Sequence, residues 1–368
     1  MIDFLTDRAA RKPEVDSKLD RLRARMVAAN IDALHITQNA TIAWLTAGAL
    51  TYIHEATDTS PVSLLVTMDH AYALTDTIEM PRLRDEQGLE ALGFEFVVEK
   101  WYDKGQALIT LTEGKRAVGD SGGGAAIVQE LRSVLSPDEV DRFRYAGHLA
   151  ADAMDEAIRA TQVGDSELLL AGRMTSAARA RGGISVVNLV ASDERVAQYR
   201  HPLPARKSVD KYAMLVMCFR YEGLVISLTR FVFFGAIPSE LKARRDACAR
   251  VDTKLILGTH AGRTLGEMFE IAKAGYAAEG FPEAIEEHHQ GGSAGYAPRE
   301  VVARPGLTTI IQPNQAFAWN PSIRGVKSED TILLTSEGVE ILTAMPGFPT
   351  IKVTIPEGTL ERPDILQM

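Results

Sequence analysis

The chain is expected to fold as two domains: a smaller α/β domain, then an α+β domain built on a curved antiparallel sheet. Three observations predict this. The 368 residues exceed one typical domain. The first part alternates helical and strand patterns, and the second sets amphipathic helices between two groups of apolar strands.

In the first part, Leu19, Leu22, Met26 and Val27 mark one helical face after Asp16, and a short strand follows over residues 32–36. Residues 61–68 and 71–75 pattern as a strand pair with a turn near Asp69. A helix over residues 79–92 leads to a strand over 94–98. The glycine-rich run at residues 119–124 lacks the Lys-Ser/Thr ending of a phosphate loop and is assigned as a turn. Ser136-Pro137-Asp138-Glu139 has the form of a helix cap followed by acidic residues, so the division falls near residue 137, giving domains 1–137 and 138–368.

Beyond that helix, a second begins near Asp165, with Ser166 as an alternative cap. Strands are expected over residues 184–192, 213–219 and 224–234, helices over 239–257 and 264–279, and strands again over 316–319, 331–335 and 339–343.

Composition narrows the function. Apolar residues make up 46% and charged residues 24%, as in an ordinary globular protein. A net charge of −9 argues against nucleic acid or an anionic membrane as the main partner. No apolar run is long enough to span a bilayer, and the polar N-terminal stretch has no signal-type segment. Cys218 and Cys248 are the only cysteines, too few for a disulfide framework or a Cys-rich zinc site, so a reducing cytoplasm is expected.

Four places in the second half carry polar residues that a plain core strand or loop does not need. They are Tyr199-Arg200-His201-Pro202; Ser227, Thr229 and Arg230 on an apolar strand; His288-His289-Gln290 with Tyr296 and Arg299-Glu300; and Asn320-Pro321-Ser322 with Lys327-Ser328-Glu329-Asp330. Each also has a plain reading. A loop His is usually structural, and hydroxyls on alternate strand positions usually face solvent or a neighbouring strand. Asn-Pro forms turns. Adjacent histidines such as His288 and His289 are expected to point apart, which argues against both binding one metal.

In their joint order these segments resemble the pita-bread family of creatinase, Xaa-Pro aminopeptidase, prolidase and methionine aminopeptidase, most clearly over residues 138–345. The resemblance implies that fold, a creatinase-like N-terminal domain and a homodimer. It also implies where two metal ions would be held. Gly223 and Thr229-Arg230 keep the frame of that motif, but the first Asp position falls near residues 216–218 and the second on Ser227. The glycine-rich stretch at 290–295 has no His in register, the first Glu is replaced by Asn320 before Pro321, and only Glu329 survives. A two-metal site needs several carboxylates, so no metal and no other cofactor is expected.

Creatinase, in the same family, cleaves a guanidinium C–N bond without metal. By that resemblance His201, His288, Arg299 and Glu329 are the catalytic candidates, with His201 as general acid/base. Ser227, Thr229, His289, Gln290, Tyr296, Asn320 and Lys327 are the substrate-binding candidates. Creatinase carries a Glu where Thr229 stands, which argues against creatine itself. The expected function is metal-independent hydrolysis of a C–N bond in a small molecule. The alternatives are a ligand-binding pseudoenzyme, or a peptidase with a non-standard metal site from His288, His289 and Glu329. The segment 44–54, with Tyr52 and His54, would by resemblance close the partner subunit's site.

Overall fold

A computed structural model describes residues 8–368. The first seven residues of the N-terminal stretch assessed above for a signal segment lie outside the described residues. Two compact units result, one ending at Arg132 and the other running Ser133–Met368.

The first unit is an α/β layer. Its five-stranded sheet has the order Glu95–Glu99, Ala71–Asp76, Thr59–Thr67, Ala33–Gln38, Ala117–Gly119. The middle pairings are antiparallel and the two outer ones parallel. The helix Lys12–Ala28 buries Leu19, Leu22 and Met26, whereas Val27 is exposed. The glycine run is a turn: Gly124 N–H donates to Gly119 O at 3.0 Å, and Asp120 accepts from the amides of Thr37 and Gln38. Instead of the long helix expected over residues 79–92, the helix is Met80–Asp85. Gly88, at φ +64°, takes the chain out of helical geometry. Among the helices not anticipated from the sequence, Asn39–Leu45 and Gln106–Thr112 span seven residues each and carry weak periodicity. Trp44 is buried inside the first of them.

The second unit has the pita-bread architecture. One sheet orders Ile365–Gln367, Leu224–Phe233, Tyr212–Tyr221 and Ile184–Ser192; the other orders Val301–Val302, Gly291–Ala294, Gln315–Trp319, Asp330–Thr335 and Gly338–Ile341. Both are antiparallel except for the Ile365–Gln367 edge. Capping boxes at Ser136 and Thr264 open the helices Pro137–Arg159 and Leu265–Ala278. Ser166 rather than Asp165 caps Glu167–Ala180, accepting from Leu169 N–H. The helix Ser239–Gly258 packs on Leu265–Ala278, and Pro137–Arg159 packs on the Leu224–Phe233 strand. Apolar side chains from Ser239–Gly258, from Leu265–Ala278 and from Phe317, Trp319 and Ile332 form one buried core. Full burial contributes roughly 1.5–3 kcal/mol per large side chain.

The two sheets are stitched together where polar residues interrupt this core. Ser227 N–H donates to Thr331 Oγ1 at 2.8 Å, Thr331 Oγ1 donates back to Ser227 O at 2.9 Å, and Thr229 N–H donates to Glu329 O at 3.2 Å. The seam therefore brings Ser227, Thr229 and Glu329 to one place. No helix among the described residues is long and apolar enough to cross a membrane.

Candidate active site

The chemistry-bearing residues arrive from four segments. Strand Leu224–Phe233 is buried along its full length, so Ser227 and Thr229 face protein rather than solvent. Antiparallel register sets Ser227 opposite Cys218 and Thr229 opposite Val216. All four side chains therefore share one face of the sheet. Asp330–Thr335 follows a short hairpin, Ser322–Ile323 with Val326–Lys327, which carries Lys327 and leads directly into Glu329.

Glu329 is the anchor. Its Oε2 accepts from Thr229 Oγ1 at 2.6 Å and Lys327 Nζ at 2.7 Å, and its Oε1 accepts from Arg299 Nη2 at 2.9 Å. Burial alone would raise its pKa. The charges of Lys327 and Arg299, with the hydrogen bonds from Lys327 and Thr229, win and hold it far below the carboxylate range. Arg299 also donates to Ser227 Oγ at 3.2 Å and to Pro298 O at 2.6 Å, and its Nε is buried without a partner. Two cations thus answer one carboxylate, leaving this part of the site net positive.

Three imidazoles gather beside it. His201 Nε2 and His288 Nε2 lie 3.1 Å apart, and the His288 and His289 rings stack with centroids 4.4 Å apart. One nitrogen from each of the three falls within 4.8 Å of the others. The expectation that His288 and His289 point apart is therefore overturned. Glu287 ends a short helix and His288 has extended backbone (φ −160°, ψ 151°), yet both rings lie beside His201, with centroids 4.9 Å and 6.1 Å from it. Burial, then Lys327, pushes His288 down to about 3, against the pull of Glu329. His289 keeps an exposed edge, yet burial of the rest of the ring and the charge of Arg299 take it to about 4. His201 is lowered by burial and by Lys327 although its outer edge is in solvent. All three are neutral imidazoles near pH 7.

The loops bearing them are tied together. Arg200 pairs with Glu287, and Arg324 pairs with the same carboxylate at 2.7 Å. Gln290 donates to His288 O, and its Oε1 accepts from Tyr276 Oη at 2.6 Å. Tyr276 Oη accepts from Ser322 N–H at 2.7 Å. Sequence reasoning did not single out Tyr276 or Glu287, and it named Arg200 only as part of the segment around His201, with no role. Tyr276 patterns as a core residue of its helix, and Arg200 and Glu287 look like solvated charges. Only their adjacency to the histidines and to Gln290 could have marked them.

Of the predicted site residues, His201, His288, His289, Gln290, Ser227, Thr229, Arg299, Lys327 and Glu329 are drawn together. Asn320 is buried nearby, its backbone N–H donating to the Gln290 carbonyl at 3.1 Å, while its side-chain Oδ1 lacks a partner. Ser322 Oγ and His288 Nδ1 are likewise buried and unpartnered. Tyr296 is placed elsewhere in function: its hydroxyl donates to Glu139 at 2.6 Å, tying the loop to the start of helix Pro137–Arg159. A small cleft reaches His288, Ser322 and Lys327 past Tyr199, Arg200 and Met214.

These residues do not fit a pair of divalent ions. Val216 and Ser227 stand on the strand pair where carboxylates would be needed, Asn320 is neutral, and both oxygens of Glu329 are engaged by cations and a hydroxyl. The glycine stretch has no room for a ligand either: a Cβ on Gly292 would fall 1.9 Å from Val301 O.

Comparison with known proteins agrees with this architecture. The profile of metallopeptidase family M24 matches residues 141–336, and that of the Creatinase/Prolidase N-terminal domain matches residues 18–143. An uncharacterized peptidase of Staphylococcus aureus strain MW2 is 24% identical over 228 residues, covering 59% of this chain and 64% of that protein. One from Staphylococcus haemolyticus strain JCSC1435 is 24% identical over 231 residues, with the same coverage. The chain thus spans less than two thirds of the length of these curated relatives. Among solved structures, the prolidase from Pyrococcus horikoshii OT3 superposes with a TM-score of 0.75 at 18% identity, covering 89% of this chain and 98% of that one. The Xaa-Pro dipeptidase from Bacillus anthracis gives 0.73 at 19% identity, covering 96% and 100%. At such identities the structural likeness speaks for the fold.

Proposed function

Because the chain belongs to metallopeptidase family M24, we propose that it hydrolyses a C–N bond of amide, amidino or cyclic amide type in a small molecule, and does so without the family's pair of metal ions. The observation that carries this reading is the engagement of Glu329. The only carboxylate at the expected metal positions is fully coordinated by Lys327, Arg299 and Thr229, so it serves charge placement rather than metal binding.

In this reading His201 takes a proton from water as the new C–O bond forms, then delivers it to the nitrogen as the C–N bond breaks. Its lowered pKa keeps it a free base near neutrality. His288, buried and neutral, hydrogen-bonds the His201 ring at 3.1 Å and holds it in place. Lys327 spends one of its three donors on Glu329 and offers the others to charge developing on the attacked centre. Membership of a metallopeptidase family favours an amide among the three bond types.

The deciding experiment uses full-length protein stripped of metal and kept in chelator. It is offered a panel of amidino, ureido, cyclic amide and Xaa-Pro compounds, with products followed by mass spectrometry. Turnover that persists in chelator supports the proposal. Turnover that appears only when Mn or Co is restored overturns it.

A further inference from the structure

The three histidines do more than the proposed reaction asks of them. One acid/base and one supporting ring would suffice, yet His289 stacks on His288 at 4.4 Å and stands 6.1 Å, ring to ring, from His201. We propose that His201, His288 and His289 form a binding site for a single zinc ion, separate from the family's two-metal position, and that its occupation shuts the hydrolase off.

The geometry supports a nitrogen-ligated tetrahedral ion. Zinc binds imidazole nitrogen at about 2.0–2.1 Å, which sets ligand nitrogens about 3.3–3.4 Å apart around a tetrahedron. The His201 and His288 Nε2 atoms are already at 3.1 Å, and the three ligand atoms span at most 4.8 Å. Small ring rotations therefore close the set, with water in the fourth place. Three neutral imidazoles and no free carboxylate select a borderline metal over Mg, Ca or Mn.

The surroundings limit the affinity. Lys327 and Arg299 oppose a dication, and Glu329 offsets only one of them. His288 Nδ1 has no partner to orient the ring, and His289 Nδ1 gives up a long bond from the Gly291 amide (3.3 Å) when the ring coordinates. A site so placed binds reversibly, as suits an inhibitor rather than a permanent cofactor. Once zinc holds the His201 lone pair, that ring can no longer accept a proton. The inhibitory half of the proposal rests on His201 as acid/base; the binding half does not.

The test titrates zinc into metal-free full-length protein against a chromophoric chelator, with zinc-edge X-ray absorption on the loaded sample. The expected result is one equivalent of zinc with three nitrogen neighbours at about 2.0–2.1 Å, no binding of Mn or Mg, and affinity at least ~10-fold weaker in His289→Asn. No zinc binding, two equivalents shared with Mn, or unchanged affinity in His289→Asn each overturns the site. On the hydrolysis panel, zinc at saturation should stop turnover and chelator restore it. One bound equivalent with full turnover overturns the inhibitory half. A protein that binds zinc but hydrolyses nothing when metal-free refutes the proposed function and the inhibition with it, leaving the binding site intact.

Discussion

The Nε2 atoms of His201 and His288 lie 3.1 Å apart although 87 residues separate them in the chain. Their chain neighbours account for this. Arg200, beside His201, pairs with Glu287, beside His288, so one ion pair fixes the approach of both rings. Both partners are mostly buried, which makes this pair more than a solvated surface contact. Glu287→Ala should leave the fold intact by circular dichroism while reducing turnover by about 100-fold, since a misplacement near 1 Å can cost that much. Unchanged turnover would mean that the loops hold their positions without the pair.

His201 itself sits at the protein surface, so truncating it should cost little stability. His201→Ala is expected to melt within about 2 °C of the parent, as exposed substitutions usually do. Its turnover should fall by about 10²–10⁴-fold, the usual contribution of a general acid/base. Near-parental turnover would remove His201 from that role.

Glu329 is stabilised by two cations at once, and removing one separates their contributions. A buried carboxylate left alone costs about 3–5 kcal/mol. Lys327→Met leaves Arg299 in place, so a loss nearer about 2 kcal/mol is expected from urea unfolding. Adding Glu329→Gln to the same chain should cost further stability, because the buried Arg299 then loses its counter-charge. A double variant as stable as Lys327→Met would show that Arg299 does not depend on that carboxylate.

Stability should depend on pH through His288. Burial lowers it from an ordinary 6.5 to about 3. Between those values the unfolded chain binds a proton that the folded chain does not, so stability is lost as pH falls below about 6.5. His289 acts in the same direction, lowered to about 4. Asp252 acts in the opposite direction. Burial, outweighing Arg362, raises it to about 6, so it favours the folded state as pH falls from there toward about 4. Removing His288 isolates its share. Between pH 7 and pH 5, His288→Asn should lose less stability than the parent, by up to about 2 kcal/mol at 1.36 kcal/mol per pH unit. Equal losses would mean that His288 is not held neutral.

Much of the fold was legible in the sequence because periodic apolar patterns and caps are local signals. The helix opened by Ser136 and the strands at 184–192 and 224–234 follow from such signals, and Pro137–Arg159, Ile184–Ser192 and Leu224–Phe233 are what forms. The short helices Asn39–Leu45 and Gln106–Thr112 carry fewer than two periods and left no pattern to find. At the site, the sequence supplies residue types, but direction is a tertiary property. Nothing local says that both histidines lie beside His201, since the extended backbone at His288 would by itself send neighbouring side chains to opposite faces. Nor does it say that Tyr296, two residues beyond the strand Gly291–Ala294, spends its hydroxyl on Glu139. Tyr276 was invisible for the same reason, since a buried Tyr on an amphipathic helix is the pattern of an ordinary core residue.

Gly292 offers the sharpest test of why the two-metal arrangement cannot simply be rebuilt. The strand Gly291–Ala294 lies between Gln315–Trp319 and Val301–Val302. Its backbone comes so close to the edge strand that a Cβ at 292 would sit 1.9 Å from Val301 O and 3.0 Å from Ala303 N. Those are backbone atoms held in a ladder, with no flexible tip to move aside. Gly292→Ala should therefore destabilise the protein by about 3 kcal/mol or more, in the range of severe overpacking, and lower expression of folded protein. A bulkier ligating side chain at the same position would fare worse, whatever substitutions accompany it at Val216, Ser227 and Asn320. The measurement is the urea midpoint of Gly292→Ala against the parent at pH 7. A loss below about 1 kcal/mol would mean that the edge strand yields, and that the packing leaves room for a ligand after all.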